Sequence, residues 1–151
     1  MPDDVRVPID EDADLILARA QGRALACRQG FSRTDATLIA TAISEIARNI
    51  VVHAGHGEIV IRAVEDGWRR GLQVVARDEG PGIRDVEEFA RRGFTAGHGL
   101  GLGLPGARRL MDDFEVVSAP GEGTTVTMVK WRVPDELADF RTRRERHGGR
   151  P

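Results

Sequence analysis

Three stretches of this chain carry residue types that could do chemistry together. The first is Glu45-Ile46-Ala47-Arg48-Asn49. Glu45 and Asn49 are four residues apart, so on a helix they share a face, with Arg48 turned nearly opposite. A carboxylate and a carboxamide offer hard oxygen atoms, suited to Mg²⁺ or to a hydroxyl proton. Taken alone, the pair also suits a solvated helix face, with Glu45 paired to Arg48 or Asn49. The second stretch is Asp78-Glu79-Gly80-Pro81-Gly82. Its glycines let the backbone turn at positive φ and approach a ligand with no Cβ in the way. An Asp at a strand end can accept a hydrogen bond from an exocyclic amine such as that of adenine. A plain turn uses the same residue types. The third is Gly97-His98-Gly99-Leu100-Gly101-Leu102-Gly103-Leu104. Successive N–H groups leading into a helix N-terminus make an anion cradle, which favours phosphate. His98 and Arg108 or Arg109 could add positive charge. So many glycines imply a loop that orders only on a ligand. A flexible linker fits less well, because Leu100, Leu102 and Leu104 alternate through it. Gly121-Glu122-Gly123-Thr124-Thr125 reads by itself as a hairpin turn.

These stretches need elements to hold them. Val5, Val7 and Ile9 alternate with polar residues, which predicts a strand. A helix is expected over residues 11–29, capped by Asp10 or Asp12 and ended by Gly30. Thr34 is the expected N-cap of a second helix over residues 35–54. Its Ile39, Ile43, Ile46 and Ile50 form one apolar stripe, and Gly55 and Gly57 stop it. Two strands, 58–64 and 71–77, are expected as a loosely connected hairpin around Asp66-Gly67. A short helix over 86–91, a glycine-dense loop over 93–103 and a helix over 104–111 follow. Strands over 114–118 and 124–133 close the fold. Helices on one face of a mixed, mostly antiparallel sheet make an α+β two-layer sandwich. The expected organisation is one domain, 1–133, with a charged tail, 134–151, that is frayed.

Composition narrows the function. The chain has 151 residues, 40% hydrophobic and 30% charged, with a net charge of -2. That is one ordinary globular domain. It lacks the basic stripe that nucleic-acid binding needs. The cluster Arg141, Arg143, Arg144 and Arg146 lies in the tail, where a solvated charged end is expected. Cys27 is the only cysteine, so no intrachain disulfide forms and a reducing compartment is the natural reading. The acidic start, residues 1–14, is not a signal peptide. No apolar run reaches the roughly 20 residues of a membrane span. A cytoplasmic protein is expected. Lys130 is the only lysine, so no P-loop is present.

In order and spacing, the four motifs resemble the boxes of the GHKL family of ATPases and kinases, with its Bergerat fold. Glu45 to Asn49 matches the N box, Asp78 to Gly82 the G1 box, Gly97 to Leu104 the G2 box, and Gly123-Thr124 the last box. The likeness covers residues 5–133. Within the family, the small serine/threonine switch kinases of the RsbT type are most similar. The likeness lies in Thr41 to Ile50, Asp78 to Ile83, Gly99 to Gly106, Arg109 to Asp112, and Lys130-Trp131. The resemblance implies ATP and Mg²⁺ as cofactors. It implies Glu45 as general base for a substrate hydroxyl and Asn49 as the Mg²⁺ ligand. Asp78 would bind the adenine amine, Gly80 and Gly82 would admit the base, and Thr124 would support its recognition. Gly99, Leu100, Gly101, Gly103 and Leu104 would form the lid over the phosphates. Arg48 receives no catalytic role. His98 within the lid and the long tail depart from the pattern. Members of this type phosphorylate STAS-domain proteins of the stressosome (RsbS- and RsbR-like) and, once released, activate a PP2C phosphatase of the RsbU kind. The resemblance implies no nucleic-acid or membrane partner, and leaves the oligomeric state open between a monomer and a weak dimer. An anti-sigma kinase of the RsbW or SpoIIAB type is the alternative implied by the same boxes.

Overall fold

The computed structural model describes residues 4–82 and 103–133. The chain begins with β1, Val5–Ile9, and continues through α1, Asp12–Arg28, and α2, Arg33–Asn49. A π-helical turn, Ile50–Ala54, extends α2. The hairpin β2, Gly57–Asp66, and β3, Arg69–Asp78, follows. After residue 102 come α3, Gly103–Leu110, then β4, Asp113–Ser118, and β5, Thr124–Trp131. The expected helix over 86–91 and the loop over 93–102 lie outside the described residues.

The strands form one sheet in the order β1-β2-β3-β5-β4. Every pairing in it is antiparallel, rather than mixed as the sequence suggests. With two helices between β1 and β2 the chain reverses three times, an odd number, so β2 returns against β1. β4 runs in the same direction as β3, but β5 inserts between them, so no parallel pair forms.

Alternate residues of each strand face the helices. Val7 and Ile9, Ile59 and Ile61, Leu72, Val74 and Ala76, and Val126 and Met128 are all buried in one core. Against them α2 lays Ala36, Ile39, Ile43 and Ile46, and the π turn that follows adds Ile50. Each fully buried isoleucine is worth about 2 kcal/mol of transfer free energy, so this stripe is the main anchor of the helix. α1 packs beside α2 through Gly22, where an added Cβ would come within 2.2 Å of Ile43 Cδ1.

The helix ends show how local chemistry chose between candidates. Ser32, not Thr34, caps α2, because its Oγ accepts from Asp35 N at 3.0 Å. Thr34 lies already inside the first turn. At α1 the N-cap is Glu11 rather than Asp10 or Asp12. The carboxylate that serves this end is that of Asp14, whose Oδ2 accepts from Asp10 N at 2.8 Å and Glu11 N at 3.1 Å. The β2–β3 connection is tight, not loose: only Gly67 and Trp68 separate the strands. Gly67 sits at φ 62, a conformation that glycine adopts without steric cost.

Candidate functional site

Glu45 and Asn49 lie one turn apart near the C-terminal end of α2. At about 100° per residue both fall on one flank of the isoleucine stripe. Glu45 is the only buried charged side chain among the described residues, at 9% exposure. Asn49 is half-buried. Its Nδ2 atom is buried and has no hydrogen-bond partner among the described residues. A buried amide left unsatisfied costs about 1–3 kcal/mol, and such groups in native folds mark strain, function or a missing ligand. Arg48 is exposed, as the helical count requires.

The α-helix expected to run to residue 54 instead ends at Asn49 and widens. Gly55 N donates to Ile50 O at 2.9 Å, five residues back. Such π turns concentrate at functional sites. This one keeps Ile50 in the core at 2% exposure while Val52 is turned out at 41%. It also carries Ala54 up to the loop after β3. Gly80 stands so close that an added Cβ would lie 2.7 Å from Ala54 Cβ.

Asp78 ends β3 and continues the helix-facing series Leu72, Val74 and Ala76 just beyond the core. Its Oδ1 accepts from Gly80 N at 2.9 Å, closing the turn. In the sheet register, Ile9 stands opposite Gly57, Gly57 opposite Asp78, Asp78 opposite Thr124, and Thr124 opposite Ser118. One row therefore crosses all five strands on the helix-facing side. Its middle consists of a glycine, a carboxylate and two hydroxyls. Gly57 leaves space beside Asp78, since a Cβ there would meet Asp78 Cβ at 3.1 Å and Arg77 O at 2.5 Å. The turns that flank the row are pinned together. Gly121 N donates to Pro81 O at 2.7 Å. Gly82 has φ 80, and a Cβ on it would strike Ala119 O.

The structure thus brings Asn49, Asp78, Gly80 and Thr124 to one end of the molecule, and Gly82 to the turn beside them. Gly103 and Leu104 open α3. Gly99, Leu100 and Gly101 lie outside the described residues. Sequence reasoning missed Gly57, read only as a helix stop, and Ser118, read only as a strand residue. The signal for Gly57 was its pairing with Asp78, which requires the register. Ser118 likewise becomes visible only once β4 is paired with β5.

This site has the features of a nucleotide pocket: an acceptor at a strand end, glycines where a flat base could come close, and an orphaned amide beside a buried carboxylate. The histidine kinase-like ATPase domain matches residues 9–130, and the chain belongs to that family of ATP-binding domains. In particular, it is 46% identical over 131 residues to the serine/threonine-protein kinase RsbT of Bacillus subtilis (strain 168), covering 87% of this chain and 98% of that protein. It is 36% identical over 99 residues to an anti-sigma F factor of Thermoanaerobacter sp. (strain X514), covering 62% of this chain and 68% of that protein. Among solved structures, the mycobacterial sensor histidine kinase MprB shares the fold. Its TM-score is 0.51 at 20% identity, over 86% of this chain and 99% of that one. Among the described residues, no helix is long and apolar enough to cross a membrane.

The residues present fit Mg²⁺ only in part by themselves. Among the described residues no three His, Cys, Asp or Glu side chains gather into a metal cage. The Asn49 amide oxygen suits an ion whose remaining ligands are waters and phosphate oxygens, as Mg²⁺ prefers; the orphaned Nδ2 is a donor and calls for an acceptor, not a cation.

Proposed function

We propose that this chain is an ATP- and Mg²⁺-dependent serine/threonine protein kinase of the RsbT switch type. Its substrates are STAS-domain proteins of the RsbS and RsbR kind. Once released from them, it activates a PP2C phosphatase of the RsbU kind. The single observation that carries the reading is the pair on α2, a buried carboxylate and a half-buried amide. Glu45 is held inside the fold, one turn from an amide with an unsatisfied end.

In this reading Glu45 accepts the proton of the substrate serine or threonine hydroxyl. The bond between that oxygen and the γ-phosphorus forms as the bond to the β–γ bridging oxygen breaks. Phosphoryl transfer is mostly positioning and charge neutralisation, so a base held by a core-anchored helix is well matched to it. Asn49 would hold Mg²⁺, which would neutralise phosphate charge. Asp78 accepts from the adenine amine. Gly80 and Gly82 keep the base pocket open, and Thr124 lines it. Gly99, Leu100, Gly101, Gly103 and Leu104 wrap the phosphates. Residues 134–151 form a separate charged tail beyond the kinase domain 1–133. The protein works in the cytoplasm, with no nucleic-acid or membrane partner.

The test is transfer of labelled γ-phosphate from Mg-ATP to a candidate STAS protein. Label on a serine or threonine, lost in Glu45→Ala and in Asp78→Asn, is the expected result. Absence of transfer with ATP still bound would sink the kinase reading. The likeness to an anti-sigma F factor favours one second reading, a kinase that also sequesters a sigma factor. Capture of a sigma factor by the purified chain would turn the assignment to it.

A further inference from the structure

Hydrogen-bond accounting at the end of the sheet adds a residue to the site, resting on the ATP reading above. Ser118 stands on the edge strand β4 directly opposite Thr124, and Thr124 directly opposite Asp78. All three face the helix side. A serine hydroxyl carries one proton. Ser118 Oγ lies 2.9 Å from the carbonyl oxygen of Gly123, a group that can only accept. The serine proton is therefore committed to that carbonyl. The same Ser118 Oγ lies 2.8 Å from Thr124 Oγ1. Either hydroxyl could donate in this second bond, and with the serine proton on the Gly123 carbonyl the donor is Thr124.

Thr124 Oγ1 is left with lone pairs alone. Its neighbour Asp78 is also an acceptor when ionised. One of its oxygens, Oδ1, already holds the Gly80 N–H. The row thus shows an incoming base two adjacent acceptors. The carbonyl that takes the serine proton is itself rigidly placed. Gly123 has φ 78, and a Cβ on it would come within 2.2 Å of Asp78 O.

We propose that Ser118 is a positioning residue that sets base selectivity. By drawing off the proton of Thr124, it makes the Asp78–Thr124 pair acceptor-only. An exocyclic amine, as on adenine, has two protons to give to such a pair. A carbonyl in the same place, as on guanine, brings lone pairs against lone pairs. A site built to hydrogen-bond a donor rejects the analogue that lacks it far more strongly than an apolar pocket does. Without the Ser118 hydroxyl, the Thr124 proton is free to swing toward the base, and a carbonyl becomes acceptable.

The experiment is equilibrium binding of labelled ATP and of labelled GTP, with Mg²⁺, to the full chain and three variants. Ser118→Ala removes the proton sink. Ser118→Thr keeps a hydroxyl on a residue that suits a strand. Thr124→Val removes the acceptor at nearly constant shape. The parent should prefer ATP. Ser118→Ala should hold ATP within about threefold of the parent while the preference for ATP over GTP falls about tenfold, the weight of one hydrogen bond. Ser118→Thr should keep the parental preference, and Thr124→Val should lose it. An unchanged preference in Ser118→Ala or in Thr124→Val overturns the proposal. So does an equal loss of both nucleotides in Ser118→Ala, or the alanine phenotype in Ser118→Thr. A parent that binds neither nucleotide overturns the ATP reading itself, and is told apart from those outcomes by that.

Discussion

At one end of the sheet, Gly123 lies so near Asp78 that a Cβ would sit 2.2 Å from its carbonyl oxygen, and Gly80 presses on Ala54. At the other end, Gly30 lies under the guanidinium of Arg132, with 2.3 Å between a would-be Cβ and Nη1. Both ends use glycine for close approach. The neighbours differ: fixed backbone at the first, the tip of a flexible side chain at the second. The polar groups differ as well. At the hairpin end Arg69 pairs with Asp66 at 2.7 Å and stacks 4.1 Å from the centre of the Trp131 ring. Trp131 Nε1 donates to Asp113 at 2.8 Å, and Lys130 Nζ donates to Leu110 O at the C-terminus of α3 at 3.1 Å. Arg132 Nη1 donates to Gln29 O just past α1 at 3.3 Å. At the other end Asn49 keeps a buried amide nitrogen without a partner among the described residues. Among the described residues, polar groups are satisfied at one end while one buried donor is left open at the other, and such open groups in native folds call for an explanation in strain, function or a missing partner.

The contrast can be broken by mutation. The largest effect is expected at Glu45→Gln, which should cut the rate of phosphoryl transfer by about 10²–10⁴-fold, the usual contribution of a general base. ATP binding measured alongside should persist; its loss would make Glu45 a structural residue. Gly123→Ala comes next. A left-handed φ costs roughly 1–2 kcal/mol without glycine, and the clash with fixed backbone adds to it, so a loss of about 3 kcal/mol is expected in urea unfolding. Asp78→Asn should weaken ATP binding by about tenfold, the value of a lost charged hydrogen bond, with little change in melting temperature. Gly30→Ala has an equally unfavourable φ of 88. Its neighbour can move, so the loss should stay near 1–2 kcal/mol. If Gly30→Ala proves as costly as Gly123→Ala, the distinction between the two ends fails. Arg132→Ala should cost least, about 1 kcal/mol for a capping hydrogen bond at a helix C-terminus. It should leave nucleotide affinity unchanged.

Much of this contrast was legible in the chain itself, and the parts that were not have physical reasons. The isoleucine spacing of α2 fixed which flank carries Glu45 and Asn49, because a helix sets side-chain direction by local geometry alone. The alternation in β3 likewise placed Asp78 in line with the core. The change from α to π winding at Ile50 was not legible. It reflects how Ile50 is held in the core while Ala54 meets Gly80, a contact across 26 positions of sequence. The cap at Ser32 was a near miss of two residues, decided by which hydroxyl reaches an N–H three residues ahead.

By itself, then, the sequence determined the elements, their buried faces, and the four motifs that mark the family. Those features repeat with the period of the helix or strand, or sit within a few residues of one another. Only the tertiary structure decided that Gly57, Asp78, Thr124 and Ser118 form one row. Strand register is settled by the packing of whole faces against the helices, and no local pattern encodes which residue will stand opposite which. The proposed role of Ser118 in base selectivity rests on that register.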